Sequence, residues 1–105
     1  MKTQGASLLP LLIAFPEAEG RLESWGKILD LGALSARILT QSRLSAREPL
    51  LLSFRLRGED FDSMPAVVER SEIDEDGYTR CEVRFTLEAD RLRLGRVLRV
   101  LLASR

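Results

Sequence analysis

One short stretch of the chain combines an acid, a glycine, a serine and an arginine at a spacing that could bind a small ligand. It is the run DLGALSAR, which begins at Asp30 and continues through Gly32 and Ser35 to Arg37. A carboxylate can accept hydrogen bonds from the edge of a base, and a guanidinium can bind an anion through two parallel hydrogen bonds. The same residues also suit an ordinary turn, in which the aspartate accepts hydrogen bonds from backbone amides and the arginine stays in solvent. Both interpretations stay open at the level of the sequence.

Catalytic and metal chemistry have little support elsewhere in the chain. The sequence contains no histidine and one cysteine, Cys81, so it offers neither a Ser/His/Asp nor a Cys/His arrangement. It also lacks a glycine-rich phosphate loop of the P-loop or dinucleotide type. The acidic run SEIDEDGY is too short for the spaced ligands of an EF-hand, and we interpret it as a solvated turn. We therefore predict a protein that is not an enzyme and holds no metal or cofactor.

The charge balance and the apolar runs limit the partners and the location. The chain has 16 basic and 16 acidic residues, and this zero net charge argues against non-specific nucleic-acid binding. No apolar run approaches the roughly 18 residues of a membrane span, so we expect no membrane insertion. We interpret the apolar run after Lys2 as a buried first strand and not as a secretory signal. With a single cysteine that has no disulfide partner, a reducing, cytoplasmic location fits best.

Hydrophobic periodicity predicts a series of short strands followed by one helix. In 50–57 apolar and polar residues alternate, and the same alternation in the run TRCEVRF turns Cys81 towards the core. Asp76-Gly77 is a hairpin signal, and the polar run GEDFDS predicts a second turn. The predicted strands are 11–15, 23–31, 35–40, 50–57, 65–73 and 79–85.

The last segment changes to a helical period. Over 89–103 an apolar stripe runs along one side of an amphipathic helix, and it consists of Leu94, Val97, Leu98, Leu101 and Leu102. We expect this stripe to pack on the strands, so that Leu98→Ala would cost roughly 2 to 5 kcal/mol. Leu92 and Val100 lie outside the stripe, where a second copy of the chain could cover them and give a homo-oligomer through the C-terminal helix.

Six antiparallel strands and a terminal helix predict one domain, 1–105, built as a small closed barrel with the helix across it. The succession FPEAEGRLESWGKILDLGALSARI, EPLLLSFRL, PAVVER and GYTRCEVRF with a closing helix resembles a PilZ domain over nearly the whole chain. The resemblance implies a mainly β fold, a six-stranded antiparallel β-barrel with a C-terminal α-helix. It also implies a bacterial setting in signalling, motility or pilus regulation.

The PilZ resemblance implies a ligand loop that this chain matches only in part. In that family a D/N-x-S-x-x-G loop and an upstream Arg-x-x-x-Arg pair bind cyclic di-GMP. Asp30 matches the first position, while Gly32 stands for the serine and Ser35 for the final glycine. Before the first strand Lys2 is the only basic residue. We interpret the loop as a degenerate binding motif, in which Ser35 is expected to change the permitted backbone angles.

Three functional classes remain, and they differ in the partner. A protein-interaction adaptor with weak or no cyclic di-GMP binding is the leading hypothesis, and we expect a protein partner. The alternative is a functional cyclic di-GMP receptor that uses a non-standard site, with ligand contacts drawn from Asp30, Ser35, Arg37 and Arg21, and with Arg80 as a further arginine. A small nucleic-acid-binding barrel is the third class, and it would need exposed aromatic residues over a basic face.

Overall fold

A computed structural model describes residues 9–103, and in this part of the chain six strands precede one helix. The predicted order of elements is confirmed, and each predicted boundary lies within two residues of the observed one except the start of the fifth strand. The elements are β1 Leu9–Ala14, β2 Ser24–Leu31, β3 Ser35–Thr40, β4 Pro49–Leu56, β5 Glu59–Ile73, β6 Thr79–Phe85 and α1 Glu88–Ala103.

The six strands close into an antiparallel barrel in the order β1-β2-β3-β6-β5-β4. Closure comes from β1 and β4, which pair from Leu12 opposite Ser53 to Ala14 opposite Leu51. Since a closed barrel leaves no long unpaired strand edge, this arrangement satisfies the backbone hydrogen bonds without a second sheet. The predicted fold class, a six-stranded antiparallel β-barrel with a C-terminal helix, is confirmed.

Alternation along the strands fills the barrel interior. In β6, Cys81, Val83 and Phe85 are buried while the residues between them are exposed, as the sequence predicts. Ile38 of β3 and Leu52 of β4 are completely buried in the same core. The outer wall of β3 and β6 consequently carries their polar residues, and these can form a binding surface.

The polar run GEDFDS is mostly strand, which corrects the predicted turn. Only Arg57 and Gly58 form the turn, with φ of 55° and 78°, and β5 begins at Glu59. Phe61 and Met64 both face the core although they are three residues apart, because β5 has a bulge opposite Ser53. The extra residue breaks the two-residue period, so alternation alone could not detect this part of the strand.

The turn between β5 and β6 has the predicted Asp-Gly chemistry. Gly77 adopts a positive φ of 86° that a side chain would disfavour. The Asp74 carboxylate accepts hydrogen bonds from the backbone amides of Asp76 and Tyr78 at 2.9 and 3.0 Å. These bonds make Asp74 a structural residue of the hairpin.

Helix α1 lies across the end of the barrel that carries the β2–β3 and β4–β5 hairpins. Leu94 and Val97 are buried against the barrel, and Leu98 and Leu101 pack at its margin. Leu102 is 54% exposed, which corrects its predicted place in the packing stripe. At about 100° per residue it lies at the edge of that stripe, on the side away from the buried Leu94 and Val97.

Candidate functional site

The β2–β3 hairpin positions the residues of the predicted ligand loop. The backbone N–H of Gly32 donates to the carbonyl of Ser35 at 2.9 Å and closes the hairpin. A bulge after Ile28 adds one residue to β2, so that Asp30 pairs with Arg37 on β3. Asp30 and Arg37 therefore lie side by side on the outer wall of the barrel.

Asp30 and Arg37 form an ion pair across the two strands. The Arg37 guanidinium lies 2.9 Å from Asp30 Oδ2, and both side chains remain partly exposed to solvent. Such a surface pair contributes about 1 kcal/mol or less to stability. Its larger consequence is functional, because a ligand that needs either group must first separate them.

Asp30, Ser35 and Arg37 line one open cleft of about 440 Å³ on the barrel wall. This size falls in the usual range of small-molecule sites, roughly 300 to 1,000 Å³. The wall is completed by β5 and β6, which contribute Glu69, Glu82 and Val83. The structure thus brings together three of the four predicted site residues.

The cleft is acidic. Asp30, Glu69 and Glu82 supply three carboxylates, against which Arg37 is the single basic residue of the lining. Arg84 is bonded to Glu69 at 2.9 Å, so its charge is already engaged. Because a phosphate group is repelled by nearby carboxylates, this lining disfavours a bis-phosphate ligand.

Sequence reasoning missed Glu69 and Glu82 as neighbours of Asp30. Pairing of β3 with β6 sets Arg37 opposite Glu82, and a bulge in β5 brings Glu69 to the same wall. The alternation of β6 already placed Glu82 outside the core. No local pattern, however, reveals that β3 pairs with β6, since 44 residues lie between Arg37 and its partner Glu82 in the sequence.

Arg21, the fourth predicted site residue, lies away from this cleft. Its guanidinium contacts Glu48 at 2.8 Å, stacks over Phe15 at 3.7 Å and donates to the backbone carbonyl of Arg43. These contacts join the β1–β2 and β3–β4 connections, which the antiparallel topology places at the opposite end of the barrel. In this structure Arg21 links these two connections, and it lies apart from the other three predicted site residues.

A second, smaller cleft of about 160 Å³ adjoins the first on the outer wall. Arg37, Arg70 and Arg80 line it together with Glu72 and Glu82. Arg80 approaches Asp74 at 3.5 Å, whereas Arg70 forms no ion pair with another described residue. Two of the arginines considered for an unusual ligand pose, Arg37 and Arg80, thus meet here.

The backbone of the ligand loop does not need a glycine. Gly32 and Ser35 both lie outside the left-handed region of φ. A Cβ on Gly32 would meet the Ser35 carbonyl oxygen at 3.6 Å, an ordinary contact. Neither residue therefore uses the left-handed conformation that favours glycine, and the effect of Ser35 on the permitted backbone angles stays a prediction.

Cys81 faces the core, as predicted, and this burial makes its thiol unreactive. It is 3% exposed, and burial, reinforced by the carboxylates of Glu82 and Glu48, raises the pKa of its thiol to about 12. At neutral pH the sulfur consequently stays protonated and is a poor nucleophile.

Residues 9–103 were compared with the requirements of a metal site and of a membrane-spanning helix. This part of the chain contains no group of three or more His, Cys, Asp or Glu side chains that could hold a metal ion. Its helix is too short and too polar to cross a membrane.

Comparison with known proteins gives one informative result. No family model and no curated protein sequence matches the chain. Among solved structures, the Bacillus subtilis Inhibitor of motility (MotI/DgrA) superposes with a TM-score of 0.67 at 18% sequence identity. The match covers 100% of this chain and 52% of that one, so the chain spans about half the length of this neighbour. At such low identity the similarity concerns the fold, and it supports the PilZ-like barrel that the sequence resemblance implies.

Proposed function

We propose that this chain is a PilZ-like regulatory adaptor, without enzymatic activity, that acts by binding another protein and has weak or no affinity for cyclic di-GMP. The setting that fits is a cytoplasmic part of a bacterial signalling, motility or pilus system. The neighbour with the same fold is an inhibitor of motility, which supports a regulatory role. The chain also contains no histidine, which supports a role without catalysis.

The acidic cleft at Asp30 is the observation that carries this proposal. Three carboxylates line the cleft that contains the predicted ligand loop, and the one arginine of the lining forms an ion pair with Asp30. Each charge-assisted hydrogen bond to phosphate contributes about 1.5 to 3 kcal/mol. A site without an arginine pair therefore forgoes roughly 3 to 6 kcal/mol, or about a hundredfold to ten-thousandfold in affinity.

Isothermal titration with cyclic di-GMP at near-physiological salt tests the proposal. We expect no micromolar binding for the wild-type chain. Asp30→Ala should not weaken binding, because Asp30 is one of the carboxylates that repel phosphate; Asp62→Ala, an exposed acid outside the cleft, is the matched control. Micromolar or tighter binding that Asp30→Ala abolishes and Asp62→Ala preserves would contradict the proposal.

A functional cyclic di-GMP receptor with a non-standard site is the second candidate. It is favoured by the convergence of Arg37, Arg70 and Arg80 on the smaller cleft. In that case binding would survive Asp30→Ala and fail in an Arg70→Ala/Arg80→Ala variant. The same titration therefore separates the two candidates.

A further inference from the structure

The outer face of α1 combines exposed apolar side chains with arginines. Leu92 is 63% exposed and Leu102 is 54% exposed. Arg96 and Arg99 are also exposed, and neither forms an ion pair with another described residue. After Asp90 the helix contains no acidic residue up to its end at Ala103. This surface, which we call the outer helix face, is thus apolar and positively charged at once.

A cleft of about 330 Å³ adjoins the outer helix face. It lies between α1 and the β4–β5 hairpin and is lined by Arg57, Glu59, Arg93, Arg96, Val97 and Val100. Arg93 is fixed in place, because it contacts Glu59 at 3.1 Å, the carbonyl of Asp60 at 2.8 Å and the ring of Phe61 at 4.1 Å. The cleft therefore has three arginines against one acid.

Arg57 occupies its position in the cleft lining at a conformational cost. Its φ of 55° lies in the left-handed region, which residues with a Cβ atom rarely adopt. A glycine or asparagine would fit this turn better. An arginine with no ion pair among the described residues, held in this conformation beside Arg96, points to a use for its charge.

The order of side chains around the helix limits which kind of partner can bind the outer helix face. At about 100° per residue, Arg99 lies between Leu102 and Leu92, and Arg96 lies on the other side of Leu92. A lipid surface would have to bury these arginines with the leucines, whereas membrane-surface helices separate the two kinds of residue. A second copy packed on this face would bring arginines against arginines. An acidic protein segment meets neither difficulty.

We propose that the outer helix face and the adjoining arginine cleft form the docking site for a segment of another protein that carries carboxylates beside apolar side chains. Arginine suits this role, because its planar guanidinium binds carboxylates through two bonds and is enriched at protein interfaces. Leu92 and Leu102 supply apolar contact, and Arg57 and Arg96 receive the acidic side chains. The inference deepens the adaptor function proposed above and rests on it.

Defined peptides of the same length as α1 test this site. The probe has leucines at helical spacing with glutamates between them; one control peptide replaces glutamate by lysine and another replaces leucine by serine. Binding is measured by fluorescence anisotropy on the wild type, on Arg96→Glu/Arg99→Glu, on Leu92→Ser, and on Lys27→Glu/Arg43→Glu as a control with the same change of charge. Circular dichroism checks that each variant is folded.

We expect the Glu/Leu peptide to bind the wild type and the Lys27→Glu/Arg43→Glu control alike. It should bind Arg96→Glu/Arg99→Glu about tenfold more weakly or worse and also lose affinity in Leu92→Ser. Both control peptides should bind weakly. Equal binding to all variants, or no binding by the Glu/Leu peptide, would overturn the proposal.

Two other outcomes would assign the face to another occupant and overturn the proposal as well. One is binding to vesicles of anionic phospholipid that Arg96→Glu/Arg99→Glu abolishes, with no binding of the peptide. The other is a dimer in light scattering that Leu92→Ser disrupts. The cyclic di-GMP titration concerns the cleft at Asp30 and does not depend on the outer helix face. Failure of the peptide test would therefore reject this docking site without rejecting the proposed adaptor function.

Discussion

Three leucines on α1 provide a graded test of how the helix sits on the barrel. Leu94 is fully buried, Leu98 is partly buried at the margin of the core, and Leu102 is 54% exposed. Replacement of each by alanine removes the same atoms from the same helix. The differences in unfolding free energy therefore report burial and not side-chain chemistry.

The expected costs follow from these environments. Leu94→Ala should lower the free energy of unfolding by about 2 to 5 kcal/mol, the range for a buried leucine. For Leu98→Ala we expect about 1 to 3 kcal/mol, because part of that side chain already contacts water. Leu102→Ala should change stability by no more than about 0.5 kcal/mol.

Urea unfolding followed by circular dichroism measures all three variants, and the thermal midpoint gives an independent check. For a chain of this size 1 kcal/mol corresponds to a shift of about 4 to 8 °C. A Leu102→Ala variant as unstable as Leu94→Ala would refute the reasoning. It would mean that the helix is rotated on the barrel, and the outer helix face would then no longer be free to dock a partner.

Three further predictions concern backbone space and thiol chemistry. Gly95→Ala should stabilise the chain by about 0.5 to 1 kcal/mol in urea unfolding, because its new Cβ would make ordinary contacts, 3.6 Å from Ala33 and 3.8 Å from the Arg99 side chain. Gly26→Ala should destabilise it in the same assay, because a Cβ there would lie 2.6 Å from the backbone carbonyl oxygen of Leu39; a neutral effect would contradict this packing. Native Cys81 should resist iodoacetamide at pH 8 and react after unfolding. Burial raises the pKa of the Cys81 thiol from 9.0 to about 12. The contribution of this thiol to stability is therefore complete below pH 9 and falls as the pH rises towards 12. Urea unfolding at several pH values measures this decrease.

The sequence predicts the barrel well because its strands alternate and its helix has a clear apolar stripe. It fails at the start of β5, where a bulge sets Phe61 and Met64 on the same side of the strand. It also misplaces Leu102, which lies at the edge of the apolar stripe and is 54% exposed. Hydrophobic periodicity predicts the side of the helix on which a residue lies, but it does not predict how much of that side the barrel covers.

The sequence predicted the residues that the β2–β3 hairpin contributes to the cleft, but not those that β5 and β6 contribute. Asp30, Ser35 and Arg37 were found because they are close in sequence. Glu69 and Glu82 were missed because they reach the cleft through pairings between distant strands. Arg21 was included on its residue type alone, and its contact with Glu48 shows that burial and partners decide the role of an arginine.

If the three cleft carboxylates oppose the binding of cyclic di-GMP, as we propose, removal of their charge should raise the affinity of the protein for this ligand. Isothermal titration of the wild type is set against Glu69→Gln/Glu82→Gln, which removes two of the three cleft carboxylates and frees Arg84 from its ion pair. We predict no micromolar binding by the wild type and a measurable gain in affinity, several-fold or more, in the double variant. Micromolar binding by the wild type, with the same affinity in the double variant, would show that these carboxylates do not oppose the ligand.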